Sequence, residues 1–394
     1  MNILYTLTAY PPSTGGAQIH THQLAQRMSE EHAVSVICQW SHNRTDWLLG
    51  TTLRAPGEPH SYVMDGIPVR QIGISQGEKI KLAPWVLAYP VFQGAAIERI
   101  SETILKEMIS AAPEFDLAHN IRIGREGISA ATYKLAQQRN APFVMTPVHH
   151  PAWSGWFHRF YHDLYRNADA LIALTEAEKR TLVGLGVSET KIHVTGIGPI
   201  LSEEYDPRRF VEKHGLKQAP AVLFLGQKYA YKGIASLLDA TEKVWKKYPE
   251  TQFWFIGPRT DFSRKLFQQV ADPRILELDS VPLQEKTDAL AACTLLCVPS
   301  AQESFGGVYT EAWSLGKPVI GCPIPAVSEV VNAGENGLLA EQNGETIAKA
   351  ILQLLDDPHG AEKMGQRGKM KVETNFTWEQ IARKTYQVYE SLMK

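Results

Sequence analysis

The sequence predicts an α/β fold made of two successive doubly wound domains, and three observations carry that prediction. Short apolar runs alternate with segments of helical length along nearly the whole chain, the pattern of parallel strands buried on both faces and joined by crossover helices. The alternation is interrupted once, at Gly198-Pro199 and the charged stretch 202–217, and then begins again. The chain has 394 residues, more than one ordinary core holds at about 100–200 residues per domain.

In the first series, strands are predicted at 2–8, 33–38, 67–74, 116–119, 143–148, 170–174 and 193–197, with amphipathic helices at 17–29 and 93–110. Between the first strand and helix lies Pro11-Pro12-Ser13-Thr14-Gly15-Gly16, a turn that lets backbone approach a ligand just before a helix begins. It is an anion-site candidate. It is not a dinucleotide fingerprint, because the three-glycine spacing of hydride-transfer enzymes is missing.

The stretch 45–88 reads as irregular around one strand, with exposed-looking aromatic and apolar residues at Asp46-Trp47-Leu48-Leu49 and 79–85. Such loops shape substrate choice. Residues 149–167, HHPAWSGWFHRFYHDLYRN, are rich in histidines and aromatics. His158 and His162 stand one helical turn apart, yet the glutamate of a metalloprotease helix and a third ligand are missing, so no metal site is expected. Trp153, Trp156, Phe157, Phe160, Tyr161 and Tyr165 read first as packing. Docking of an acceptor, or a peripheral contact with a lipid interface, stays open for them.

The second series predicts strands at 222–225, 253–256, 275–278, 295–298, 319–320 and 338–339, a helix at 234–248 and a terminal amphipathic helix at 377–393. Its first strand ends in Gly226-Gln227-Lys228-Tyr229-Ala230-Tyr231-Lys232-Gly233. Lys232 at a helix N-terminus opposes the helix dipole by about 0.3–1 kcal/mol, and a bound anion would offset that. A solvated surface lysine is the plainer reading.

The strand at 295–298 leads into Ser300 and the loop to Gly307, Gly306-Gly307 opens a helix, and Gly316 stands at its C-cap. In open α/β sheets ligands lie outside the carboxyl ends of strands, so this loop faces a binding crevice. Glu303 lies on the loop and Glu311 about one turn inside the helix. The amides of Phe305, Gly306 and Gly307 suit an anion, and the two carboxylates suit hydroxyls, so the set fits a nucleotide sugar. Alternatively, both glutamates only complement the helix dipole.

Composition narrows the partners. Hydrophobic residues are 44% and charged residues 21%, with a formal net charge of -2, so nothing favours nucleic acid. Cys38, Cys293, Cys297 and Cys322 all fall in or beside apolar runs and read as reduced, buried thiols of a cytoplasmic protein. The N-terminus has no basic leader, and no segment approaches the ~20 apolar residues of a membrane span.

Glu303 and Glu311, spaced E-x7-E, together with the Lys232-Gly233 loop and Gly15-Gly16, resemble the retaining glycosyltransferases of family 4, with the GT-B fold of two Rossmann-like domains facing a central cleft. The blocks LLCVPSAQESFGGVYTEAWSLGKPVIG and SEVVNAGENGLLAE carry the same resemblance, which spans nearly the whole chain. It implies an acceptor domain at 1–198, a donor domain at 199–376, and a C-terminal helix, 377–394, that packs back on the first.

By the same resemblance, Lys232 holds a donor phosphate, Phe305, Gly306 and Gly307 hold the diphosphate and sugar through their amides, and Glu311 holds the ribose. Glu303 takes hydroxyls of the transferred sugar. Gly15 and Gly16 let the first-domain loop close over the diphosphate, and His149, chosen over His150, contacts the sugar near the reacting carbon. The base is recognised by backbone near Val281 and in the loop after Ile256. No cofactor or metal is implied, and the donor is a nucleoside diphosphate sugar of UDP or GDP type. The acceptor is a glycan, lipid-linked or small-molecule hydroxyl.

Two departures stand out. Where the family has arginine after the glycine of the phosphate loop, this chain has Gln227 followed by Lys228, so either Lys228 substitutes or the diphosphate is held less strongly. Cys322-Pro323-Ile324-Pro325-Ala326 replaces the glycines common before the residue matching Glu329. A nucleotide-sugar epimerase of the same fold and a non-catalytic partner subunit are the rival readings.

Overall fold

The computed structural model describes residues 1–13, 15–40, 48–149 and 151–393, without the side chains of Trp40, Pro151 and Ala152. Thr14 of the glycine turn, the readings at 45–47, and His150 lie outside the described residues. The chain forms two compact units, Met1–Gly196 with Trp378–Lys394, and Ile197–Thr377.

The first unit holds β1 (Asn2–Ala9), β2 (Ala33–Trp40), β3 (His60–Met64), β4 (Ile67–Gln71), β5 (Leu117–Ile121), β6 (Phe143–Thr146), β7 (Ala170–Ala173) and β8 (Ile192–Val194). Their order is β3-β4-β2-β1-β5-β6-β7-β8. All neighbouring pairs are parallel except β3 against β4. The apolar runs Ile3-Leu4-Tyr5 and Leu117-Ala118 are fully buried, as strands covered on both faces require.

Two sequence readings are corrected here. The strand β3 falls in a stretch read as irregular; its residues alternate between exposed and half-buried, the pattern of an edge strand, and Tyr62 pairs with Val69. Residues 79–85, read as loop, lie within a helix, Gln76–Ala88, whose Ser75 side chain accepts from the Glu78 amide. Pro84 inside that helix disguised it, since proline removes a backbone donor and clashes with the preceding turn.

The last helix, Trp378–Leu392, belongs to the first unit. Its Tyr389 hydroxyl lies 3.1 Å from that of Tyr5 and 2.6 Å from Nδ1 of His119, and the Trp378 ring packs on His20. These buried polar contacts fix the helix's register where apolar packing alone would let it slide.

The second unit holds β9 (Ala221–Leu225), β10 (Gln252–Ile256), β11 (Ile275–Leu278), β12 (Leu295–Cys297), β13 (Val319–Gly321) and β14 (Gly337–Leu339), in the order β11-β10-β9-β12-β13-β14. Every pair is parallel. The strand order reverses between β9 and β12, and the loops leaving those two strands carry Gln227, Lys228, Lys232 and Glu303. Such a switch point opens a crevice at the carboxyl ends of the strands. All four cysteines are buried and none forms a disulfide.

Candidate functional site

In the second unit, Leu225 ends β9 and the chain turns through Gly226 into a short 3-10 turn, Ala230–Lys232. Gly233 follows with φ +78, and a Cβ there would stand 2.5 Å from the Pro299 carbonyl oxygen, so only glycine lets this turn lie against the end of β12. The Ala301 amide donates to the Tyr231 carbonyl at 2.9 Å, and Gln342 Nε2 donates to the carbonyls of Tyr231 and Pro299. These bonds hold the Lys232 turn and the Glu303 loop as one piece. The Lys232 ammonium then meets Glu303 Oε1 at 2.5 Å. Two residues singled out in separate motifs, 71 positions apart, thus form one ion pair.

Past Glu303 the loop carries buried Phe305, packed edge-on against Phe376, and then Gly306 at φ +85. A Cβ on Gly306 would meet the Tyr309 ring at 2.4 Å, so tight approach and backbone conformation both demand glycine. Tyr309 in turn donates to the Val298 carbonyl at 2.9 Å, tying the start of the helix Gly307–Ser314 to β12. The Tyr309 amide donates to the Gly306 carbonyl at 2.9 Å, while the amides of Gly307 and Val308 ahead of it have no acceptor within the helix and suit an anion.

Glu311 is buried on this helix. Its Oε1 accepts from the Lys286 ammonium at 2.8 Å, while Oε2 is buried without a hydrogen-bond partner. Burial pushes its carboxyl up from the usual range, and Lys286 and the Ile200 backbone oppose the shift. An orphaned carboxylate oxygen is costly, about 1–3 kcal/mol, and fits a site where a hydroxyl supplies the missing bond. Lys286, on the helix Leu283–Ala292, was missed from sequence; nothing in its local pattern distinguishes it from a surface lysine.

Lys228 sits differently. It is fully buried, and its ammonium donates to Glu277 and, at 2.6 Å, to the Leu278 carbonyl. Burial lowers its pKa. Glu277 also receives Arg259, with Nη2 at 2.6 Å from Oε2. Although burial would raise it, Arg259 and Lys228 hold the Glu277 carboxyl below the usual range. The Lys228 charge therefore serves the end of β11. The Gln227 side chain is half-buried beside it, and half-buried Val281 lies in the following loop, where Asp279 Oδ1 accepts the Ser280 amide at 2.8 Å and the Arg259 amide at 3.3 Å.

In the first unit, Gly15 and Gly16 open the helix Gly16–Met28. The Gln18 side chain folds over Gly15, and its Nε2 is buried without a partner. His149 follows β6 and is buried. Its amide donates to Glu178 Oε1 at 2.5 Å, its Nδ1 faces the Tyr165 hydroxyl at 3.4 Å, and its Nε2 faces Ser154 Oγ at 3.1 Å. Val148, immediately before it, has φ 45. A β-branched residue in that region is a strained outlier, of the kind concentrated at functional sites. Glu178, also missed from sequence, accepts the Leu174 amide at 2.8 Å as well, and burial pushes its carboxyl up to about 7.

The aromatic segment divides. Tyr161 and Tyr165 are fully buried, while Trp156 and Phe157 are exposed. Among the described residues, no group of three or more His, Cys, Asp or Glu side chains could hold a metal, and no helix is long and apolar enough to cross a membrane.

Two family models match the chain and together span most of it: residues 15–198 match the "Glycosyl transferase 4-like domain" and 219–357 match "Glycosyl transferases group 1". Among curated relatives, an uncharacterized glycosyltransferase of Methanocaldococcus jannaschii is 30% identical over 178 residues, 43% of this chain and 48% of that protein, about half its length. Glycogen synthase of Mycobacterium tuberculosis is 26% identical over 99% of this chain and 94% of its own. Among solved structures, Anabaena HepE in complex with UDP-glucose superposes with a TM-score of 0.76 over 99% of this chain and 100% of the other at 17% identity, a likeness of fold. With both sheets parallel at their switch points and each unit matched by its own glycosyltransferase model, the chain belongs to the glycosyltransferases of the GT-B fold.

Proposed function

We propose that the chain transfers a sugar from a nucleoside diphosphate sugar, of UDP or GDP type, to an acceptor hydroxyl, with retention at the anomeric carbon and without a metal. One observation supports this most: beside the β9/β12 switch point, one glutamate pairs with Lys232 while a second, Glu311, offers a buried oxygen with no partner. In this reading Glu311 Oε2 accepts from a ribose hydroxyl. The amides of Phe305, Gly306 and Gly307 and the Lys232 ammonium face the diphosphate, and Glu303 takes sugar hydroxyls. With Lys228 bound to Glu277, the cation for the leaving group is Lys232.

The reaction then needs no protein nucleophile. The acceptor oxygen forms a bond to the anomeric carbon on the face from which the diphosphate departs. The carbon–oxygen bond to phosphate breaks with its electron pair going to the diphosphate, and the acceptor's proton passes to a phosphate oxygen. Lys232 and the helix amides stabilise the charge that develops there, by electrostatic preorganisation. In the same reading, Gly15 and Gly16 offer their backbone to the diphosphate and His149 contacts the transferred sugar. The acceptor is a glycan, lipid-linked or small-molecule hydroxyl, the protein is cytoplasmic, and the exposed aromatics of the first unit give it a peripheral membrane contact.

Calorimetry with free nucleoside diphosphate, set beside turnover, tests the two assignments. Glu311→Gln is expected to weaken nucleotide and whole donor alike, roughly 10–100-fold, since a hydrogen bond to a charged group is worth about 1.5–3 kcal/mol. Glu303→Gln is expected to leave nucleotide affinity nearly unchanged while transfer falls by that factor or more. A Glu303 variant that loses nucleotide affinity and keeps its turnover would reverse the assignment. Formation of an epimerised nucleotide sugar without acceptor would replace transfer by epimerisation.

A further inference from the structure

Arg122 follows β5 and is fully buried, yet the groups its guanidinium donates to are all neutral. Its Nε donates to the Gly124 carbonyl at 2.9 Å, its Nη1 to the Tyr165 hydroxyl, and its Nη2 to Nδ1 of His158 at 2.6 Å. The rings of Tyr161 and Trp153 cover it at 4.0 and 4.6 Å. Cation–π contact and these three acceptors repay part of the cost of burying the charge.

The direction of each bond follows from chemistry. A guanidinium only donates, so the Tyr165 oxygen accepts from Arg122 and its single proton is left for another acceptor. The other partner of that hydroxyl is Nδ1 of His149, at 3.4 Å. Nδ1 can accept only if it carries no proton. We propose that Arg122, acting through Tyr165, is a positioning residue that holds His149 as the neutral tautomer protonated on Nε2.

His149 then presents a donor, where Nε2 now faces the exposed Ser154 hydroxyl at 3.1 Å. It meets the transferred sugar by giving a hydrogen bond and takes no proton as a base. This clause rests on the sugar-contacting role proposed for His149; the tautomer itself does not. His158 obeys the same rule: its Nδ1 accepts from Arg122, so its proton also lies on Nε2. The strained Val148 and the Glu178 bond to the His149 amide fix where the ring starts, and Arg122 fixes which nitrogen is protonated.

Nitrogen-15 spectroscopy of histidine-labelled protein reads the tautomer directly, with His149→Gln identifying the resonance among the 13 histidines. The expected wild-type spectrum shows His149 with an unprotonated Nδ1 and a protonated Nε2. Tyr165→Phe, which keeps the ring and removes only the hydroxyl, is expected to mix the tautomers at His149. Transfer kcat should fall on the order of 10–100-fold, with KM for the donor little changed. Arg122→Lys keeps a charge but loses the planar fork, and is expected to move the His149 and His158 signals together.

A wild-type His149 protonated on Nδ1, or a Tyr165→Phe spectrum identical to wild type, would overturn the proposal. If His149 shows the expected tautomer and its loss, but no nucleotide sugar binds, the tautomer assignment stands and the enzymatic reading of the site fails.

Discussion

Glu178 makes the clearest residue-scale statement, because its two oxygens accept the amides of His149 and Leu174 while burial pushes its carboxyl up to about 7. The folded chain thus holds a proton that the unfolded chain releases near the ordinary carboxylate value. The group's contribution to stability is fully present at low pH and is lost as pH rises through about 7. Against Glu178→Gln, the wild type is expected to lose on the order of 3 kcal/mol between about pH 5 and about pH 8, read by urea unfolding of both chains. A difference between the two that stays flat with pH would contradict this. At this scale the sequence singled out Lys232, because a lysine at a helix start opposes the dipole, and Glu303 and Glu311, because their loop and helix start follow the carboxyl end of a buried strand. It concealed Lys286, Glu277, Arg122 and Glu178, whose roles come from partners 25, 49, 43 and 29 positions away, beyond any local pattern.

Among elements, the six strands of the second unit are those expected from sequence, since an unbroken apolar run between turn residues has few alternatives. Edge strand β3 and the helix Gln76–Ala88 were not, because half-exposed alternation is weak and Pro84 reads as a helix breaker. That helix leads into a surface ridge. Val91 and Phe92 stand beside Trp156 and Phe157, joined by bonds from Trp156 Nε1 to the Pro90 carbonyl and from Gln93 to the Trp156 carbonyl, each about as long as a standard hydrogen bond. Arg159 lies over Trp156 at 4.7 Å and Arg125 over Phe157 at 5.8 Å, so exposed apolar rings carry cations beside them. That combination fits an anionic lipid surface. The chain is expected to sediment with anionic vesicles and not with neutral ones, and Phe92→Ser with Phe157→Ser is expected to abolish it. Equal recovery of wild type and double variant with anionic vesicles would remove the membrane reading.

For the whole molecule, the repeat of one alternating pattern announced two α/β units, and Lys232, Glu303 and Glu311 all fall in the second of them. What the pattern withheld is the identity of an acceptor, since side chains scattered over loops leave no local periodicity to read. The central claim concerns the chemistry: a nucleoside diphosphate sugar held by Lys232, Glu303, Glu311 and helix amides needs no metal and gives up its sugar with retention. The most direct measurement follows the anomeric proton by NMR while the chain, in excess EDTA, is given UDP- and GDP-hexoses with a panel of acceptor alcohols. The account predicts release of nucleoside diphosphate and an α-linked product from an α-linked donor. A β-linked product, or turnover that appears only when magnesium or manganese is restored, would contradict it.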